Sequence, residues 1–402
     1  MINFRPFIFS NYSGIINFDC KIFIFRDTLA IFLISKCDLI MSPENFSALL
    51  LGWSEENKRP LPWKETNDPY KIWISEIILQ QTRVLQGTPY YLNFIKHFPD
   101  ISTLANASED DVIKLWEGLG YYSRARNIHH TSKYIFSKHN GIFPDSYDEI
   151  IKLKGIGPYT AAAISSFAYG LRYPVVDGNV IRLTSRILGI IQPINSGVVL
   201  KRIYSFVFSA IQVADPAAFN QAIMDFGATV CTPKLPQCDV CPFHLYCLAY
   251  HCDQIKEIPF KSKKTIKKIR YFHYFDIRLP DDLTVVVQRL VDDIWKKLFE
   301  YPMIESNSDL MPADDIIHQC IQKIFTISID NKYMVKKKLV SKQELTHRKI
   351  VAVFYQVTLN QPAKKINKGH YLVERKKVSN FAFPKIITEY LKTKDFLNFN
   401  EL

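Results

Sequence analysis

Four cysteines fall within one seventeen-residue loop, "CTPKLPQCDVCPFHLYC", at Cys231, Cys238, Cys241 and Cys247, separated by six, two and five residues. Four thiols brought that close cannot be dispersed through an ordinary core, so the loop has to fold around whatever they hold. Disulfides are a poor answer for so tight a set without a secretion signal. Zinc usually takes two well-separated C-x-x-C pairs, and only one such pair is present. Four thiolates in a compact, proline-containing loop also suit a [4Fe-4S] cluster, and ligand number alone leaves the two metals open. Cys20, Cys37, Cys252 and Cys320 lie outside the spacing and read as unremarkable core or surface residues.

The chain around this loop has 402 residues, which predicts two domains. Its hydrophobic content of 48% is ample for packed cores, and its net charge of +12 points to a polyanionic partner, of which nucleic acid is the commonest. No run of eighteen uncharged apolar residues occurs, so no transmembrane helix is predicted. Residues 1–40 are crowded with Phe and Ile but broken by Asp19, Arg26 and Asp27, which fits neither a secretory h-region nor a transit peptide. They read as an N-terminal extension. A translation start at Met41 is a plain alternative, since "MSPENFSALLLGW" places Ser42 as the cap of an amphipathic helix.

Three further stretches carry chemistry. In "WISEIILQQT" (residues 73–82) the lone carboxylate, Glu76, stands among Trp, Ile and Leu. Ile74, Ile77, Ile78, Val84 and Leu85 recur with helical spacing from Tyr70 onward, which sets Glu76 on or beside the apolar face of an amphipathic helix. There it is either a solvated edge residue or an acid whose proton is held by burial. In "LKGIGPYTAAAI" (residues 153–164) two helices meet at a tight turn containing Gly155 and Gly157, with Pro158 suited to the first turn of the second helix. Such a turn is an ordinary corner, or a cradle whose free backbone NH groups bind a DNA phosphate. In "VVDGNVIRLTSRIL" Asp177 is placed to cap a helix. A carboxylate in that position is also kept ionised by the helix dipole and its NH donors.

In this order, the glycine hairpin, the "VDGNV" aspartate and the six-two-five cysteine loop resemble the helix-hairpin-helix DNA glycosylases that carry an iron-sulfur cluster. That resemblance implies [4Fe-4S] rather than zinc on the four cysteines. "SEIILQQT" and "GLGYYSRARN" (residues 118–127) look like the MutY-type adenine DNA glycosylases, and the likeness runs from about Leu61 to Cys247. It implies removal of adenine mispaired with 8-oxoguanine or guanine, by base flipping and acid-assisted hydrolysis, in base excision repair. Glu76 is then the acid that protonates the leaving base, and Asp177 the ionised partner of the cationic sugar. Tyr159 and Asn179 support these two by hydrogen bonding, and Trp63 lines the base pocket. Bifunctional relatives carry a nucleophilic lysine in the hairpin where this chain has Tyr159, which cannot form a Schiff base, so a monofunctional glycosylase is implied. Gln81 and Tyr121 are the implied wedge on the opposite strand, with Leu79 nearby. Arg124 and Arg126, in a turn rich in Gly and Tyr, read as phosphate contacts rather than base readers.

After Cys247 the texture changes. Seven Lys or Arg residues between Asp253 and Arg270 read as a basic, exposed linker. Beyond it "YFHYFDIRL", "LTVVVQRL" and "IVAVFYQVTL" have strand character, and "FPKIITEYL" is helical. The resemblance implies a MutT-like domain that recognises 8-oxoguanine. "ELTHRKIVAVFYQV" is similar to the segment whose Phe-Ser-His loop meets the oxidised base in relatives; here it reads Leu345, Thr346, His347. Thr keeps a hydroxyl donor and acceptor, whereas Leu offers less stacking area than Phe. No acidic Nudix hydrolase helix follows the core strand, so pyrophosphatase activity is not expected. The expected architecture is therefore multidomain, α and α+β. Residues 1–40 are an extension, 41–252 an all-α helix-hairpin-helix glycosylase core with its cysteine loop at 231–247, 253–269 a linker, and 270–402 a MutT/Nudix-like α/β domain. The expected partner is double-stranded DNA with A:8-oxoG or A:G mispairs, and the expected protein is a cytoplasmic monomer, nucleoid-associated if bacterial.

Overall fold

The computed structural model describes residues 41–260, 267–326, 333–360 and 366–393. The N-terminal extension, with Cys20 and Cys37, lies outside these residues. Helices fill the first part: α1 (Pro43–Glu56), α2 (Pro69–Leu79), α3 (Val84–His97), α4 (Ile101–Asn106), α5 (Glu109–Leu115), α6 (Ser123–Lys138), α7 (Tyr147–Ile150), α8 (Pro158–Tyr169), α9 (Gly178–Ile187), α10 (Gly197–Ile211), α11 (Pro216–Thr229) and α12 (Leu248–His251). Their starts are written locally. Ser42, Asp68, Asp100, Ser108, Ser146, Asp177 and Asp215 each accept a backbone NH of the first turn, and prolines stand at the first helical position of α1, α2, α8 and α11.

One expectation fails instructively. The apolar spacing from Tyr70 to Leu85 does not form one helix: α2 ends at Leu79, Gln81 turns to a positive φ of 58°, and α3 begins afresh at Val84. Leu85 is 91% exposed and contributes nothing to the core. Nor is α2 amphipathic, since Tyr70 and every residue from Ile72 to Ile78 are buried. Periodicity cannot separate a buried helix followed by a turn from one longer surface helix.

The second part is a mixed sheet. Its strands are β1 (Lys268–Leu279), β2 (Leu283–Gln288), β3 (Phe299–Glu300), β4 (Met303–Ser306), β5 (Met334–Glu344), β6 (Arg348–Thr358) and β7 (His370–Glu374), in spatial order β3-β2-β1-β6-β5, with β4 on β1 and β7 on β2. Strands β1 and β6 run parallel and every other pairing is antiparallel. Alternation along β1 sends Phe272 and Tyr274 towards α14 (Lys385–Leu391), and Phe275 and Ile277 towards α13 (Asp314–Gln322), so both faces are covered.

The two parts share a core. Leu298, Ala382 and Trp295 pack into the same apolar body as Trp73, Trp116 and Tyr122. Polar ties surround it: Lys297 pairs with Glu109 at 2.7 Å, Arg126 donates to the Lys296 carbonyl, and the Glu117 carboxylate accepts the Phe383 NH. Residues 253–260, read as part of an exposed linker, instead pack on the helical part. Ile258 is buried, and Arg186 donates to the carbonyls of Ile255 and Ile258.

Candidate active site

A cavity of about 440 Å³ opens between α2, α8, α11 and the start of α9, and its walls include Glu76, Tyr159, Asp177, Asn179, Trp63 and Leu79. Glu76 reaches it from the buried face of α2 and is only 6% exposed. Burial is the main force on its carboxyl; the Tyr159 hydroxyl beside it works against burial, and the nearby Asp177 charge works with it. The net effect raises Glu76 to about 7.

Asp177 stands at the N-cap of α9. Its carboxylate accepts the backbone NH groups of Asn179 and Val180, both at 2.8 Å, and the Asn179 side-chain amide at 2.7 Å. All three are donors, so the arrangement is built for the anion. Burial nevertheless moves Asp177 upward from the ordinary aspartate range, the cap bonds and Arg182 opposing it only in part. Capping alone predicted a depressed carboxyl; the cavity wall removes more water from it than the cap replaces. Arg182 holds Asn179 by its side-chain oxygen at 2.9 Å and donates to the carbonyls of Gly227 and Cys231.

The same cavity contains charges that sequence reading missed. Lys64 and Arg59 both pair with the buried Asp225, Lys64 by a short hydrogen bond, and all three line the wall. These partners are 161 positions apart for Lys64 and Asp225, so no local signal joined them. Trp63, at the same wall, packs edge-on against Tyr91 with centroids 5.4 Å apart.

At the hairpin, Gly155 has φ +84°, and a Cβ there would come within 2.6 Å of Asn127 Cβ, so the residue has to be glycine. Gly157 differs from expectation: its φ is −98°, and a Cβ would meet nothing within 4 Å. What its lack of a side chain provides is an uncovered start to α8. Gln81 and Tyr121 are both exposed and both at positive φ, 58° and 49°. Leu345 NH bonds the Arg348 carbonyl, closing a turn that exposes Thr346 and His347 at the tip joining β5 to β6. The Thr346 hydroxyl lies 2.5 Å from the Tyr121 hydroxyl, which brings the sheet's hairpin tip against the helical part.

Arg124 and Arg126 do not face a phosphate path. Arg124 is 9% exposed, with Nη1 and Nη2 donating to main-chain carbonyls, and Arg126 is half-buried against Lys296. Burial lowers the Arg124 guanidinium to about 10, which leaves it a cation at neutral pH.

The four cysteines of the loop are free of disulfides and line one small cavity of about 20 Å³ beneath α9. Arg186 Nη1 is 3.4 Å from Cys231 Sγ, and the Cys247 thiol donates to the Arg186 carbonyl. Burial pushes the Cys241 thiol up to about 12 and Cys247 to about 11. Among the described residues no three His, Cys, Asp or Glu side chains converge as they would on a single ion. Cys252 is exposed, and Cys320 is half-buried in the sheet domain. No helix among the described residues is long and apolar enough to cross a membrane.

A buried acid, Glu76, and a capped acid, Asp177, thus face one cavity beside α8, the second helix of the hairpin. Residues 74–203 match the model of the HhH-GPD superfamily of base excision DNA repair proteins. Among curated proteins the chain is 40% identical over 294 residues to an adenine DNA glycosylase of Buchnera aphidicola subsp. Baizongia pistaciae, covering 72% of this chain and 82% of that one. It is 37% identical to the adenine DNA glycosylase of Buchnera aphidicola subsp. Acyrthosiphon pisum, over 66% and 76% of the two chains. The chain belongs to the adenine DNA glycosylase family, and is a hydrolase that cuts N-glycosidic bonds in DNA. Among solved structures, a thermostable thymine-DNA glycosylase aligns with a TM-score of 0.48 at 25% identity, covering 52% of this chain and 97% of that one.

Proposed function

We propose that the protein excises adenine mispaired with 8-oxoguanine or guanine, as a monofunctional glycosylase acting on a base flipped out of the duplex. The observation that carries this reading is the shared cavity of Glu76 and Asp177, with Glu76 raised to about 7. Adenine is a poor leaving group until protonated, and the sugar left behind is oxocarbenium-like, so an acid that keeps its proton and a carboxylate that stays charged serve the two ends of one bond. Glu76 protonates the base and then activates water. Asp177, held by donors on both oxygens, stabilises the sugar cation. Tyr159 orients the Glu76 carboxyl, and Asn179 fixes Asp177. Lys64 and Asp225 offer a donor and an acceptor to the edge of the flipped base, and Trp63 a flat apolar wall. No lysine stands in the hairpin at the position of Tyr159, which supports hydrolysis without Schiff-base lyase chemistry.

Around this centre Gln81 and Tyr121 act as the wedge, with Leu79 closing the pocket from below. Gly155 and Gly157 let a phosphate approach the start of α8. Thr346 and His347 meet the base opposite adenine, and the contact of Thr346 with Tyr121 supports that assignment. Cys231, Cys238, Cys241 and Cys247 all line one cavity, and four thiols so gathered in a compact loop fit a [4Fe-4S] cluster. Such a cluster would hold the loop bearing Lys234 in shape. The test is base release from an A:8-oxoG duplex with and without hot alkali. Strand breaks only after alkali are expected. Breaks without alkali would indicate lyase activity, release from T:G instead of A:8-oxoG would indicate a pyrimidine glycosylase, and tight binding with no release would indicate a silent DNA-binding protein.

A further inference from the structure

The buried guanidinium of Arg124, the second residue of α6, reaches both segments assigned above to the wedge. Nη1 donates to the carbonyls of Ile77, Ile78 and Gln80, at 2.6, 3.1 and 2.6 Å. These are the last carbonyls of α2 and the residue immediately before Gln81. Nη2 donates to the carbonyls of Leu119 and Gly120, at 3.5 and 3.2 Å, and these immediately precede Tyr121. The guanidinium carbon also lies 5.6 Å from the Tyr121 ring centroid and 5.3 Å from that of Trp116, whose indole NH bonds the Gly120 carbonyl at 3.1 Å. A carbonyl-satisfying cation at a helix end is common. What is uncommon is that one side chain holds two turns far apart in sequence, and that two of the five held carbonyls, those of Gln80 and Gly120, are each followed by a non-glycine at positive φ, Gln81 and Tyr121.

We infer that Arg124 is a positioning residue for base flipping, which presets Gln81 and Tyr121 together in their inserted geometry before DNA arrives. The inference rests on the reading of those two residues as the wedge. Inserting two side chains into a base stack gains least when each must first be ordered, and a planar fork with donors on both sides fixes two loops where an ammonium fixes one. Arg124 touches neither the base nor the reacting atoms; it acts through the two side chains it aligns.

The test compares the wild type with Arg124→Lys, and with Arg124→Gln as a second variant, in the full chain. Flipping is read as the fluorescence rise of a 2-aminopurine placed next to the target adenine of an A:8-oxoG duplex, and folding as the thermal midpoint. Arg124→Lys is expected to lower the flipping equilibrium about tenfold, from the loss of several charge-assisted bonds, while the folded protein still binds DNA. In a chain already carrying Gln81→Ala and Tyr121→Ala the same substitution is expected to have no further effect on the fluorescence. If the two alanine changes alone leave the fluorescence at the wild-type level, the wedge reading itself falls. If they lower it but a folded Arg124→Lys or Arg124→Gln does not, or if the effects simply add, the inference about Arg124 is overturned. Failure of both Arg124 variants to fold would assign the residue to the scaffold alone and overturn it as well.

Discussion

Glu76 is an acid whose environment works against its charge, and stability and rate should both record that. Its carboxyl ionises near 4.5 in an unfolded chain and at about 7 in the folded one. The unfolded state therefore releases its proton first, and stability falls as pH rises from about 4.5 through 7, then levels off. Glu76→Gln removes this penalty. At pH 8 the variant should be more stable than the wild type by about 3 kcal/mol, with the difference vanishing below pH 4, as followed by denaturant unfolding at each pH. The same variant should bind A:8-oxoG duplex and release no adenine. For the wild type, kcat/KM should decline by about tenfold per pH unit above 7, because the proton Glu76 donates is then missing; a flat profile from pH 6 to 9 would remove Glu76 as the acid. That an acid sat in this apolar stretch was legible from "WISEIILQQT". That all its neighbours would be buried too was not, because the spacing suggested a half-solvated helix, and only packing by α8 and α3 closed the far side.

At the level of elements, α9 connects the chemistry to the cysteine loop. Its cap is Asp177, its first turn carries Asn179, and Arg182 and Arg186 run from its flank to the main chain around Cys231. Helix α11 crosses the start of α9 at Gly227, where an added Cβ would meet Asn179 Cβ at 2.7 Å and its backbone carbonyl at 3.2 Å. Gly227→Ala should therefore cost about 1–3 kcal/mol of stability and reduce single-turnover base release, because backbone cannot yield as a flexible side-chain tip can. Thermal denaturation and a pre-steady-state rate check the two effects. Nothing in the local sequence marks Gly227, which occupies an ordinary place within an apolar helix. The cap at Asp177, in contrast, is a bond between neighbours in the chain and was readable at once.

For the whole molecule, the joint between helices and sheet is a continuation of the first core rather than a surface contact. Leu298 is fully buried in it, so Leu298→Asp places an unpaired charge in that joint and should split one thermal transition into two. Thr346, at the exposed hairpin tip, is expected to act on discrimination instead. Thr346→Ala should lower the preference for A:8-oxoG over A:G by about fivefold, as the ratio of kcat/KM on the two duplexes, with the thermal midpoint unchanged. The cysteine loop should yield iron and sulfide in equal amounts on anaerobic purification; one zinc per chain would reverse the reading of the loop.

The sequence alone determined what depends on neighbours along the chain. The caps, the hairpin with its Gly155 and Pro158, the six-two-five spacing of the thiols, and the aromatic and β-branched strand character of β1 and β6 all belong to residues close together in the chain. Tertiary structure decided what depends on desolvation and distance: that Arg124 faces inward to carbonyls, that Lys64 meets Asp225, that α2 ends at Leu79, and that Asp177 shifts upward despite its cap. Whether a charge is buried, and against what, is settled by segments arriving from elsewhere in the fold, and their arrival leaves no mark in the residues beside it.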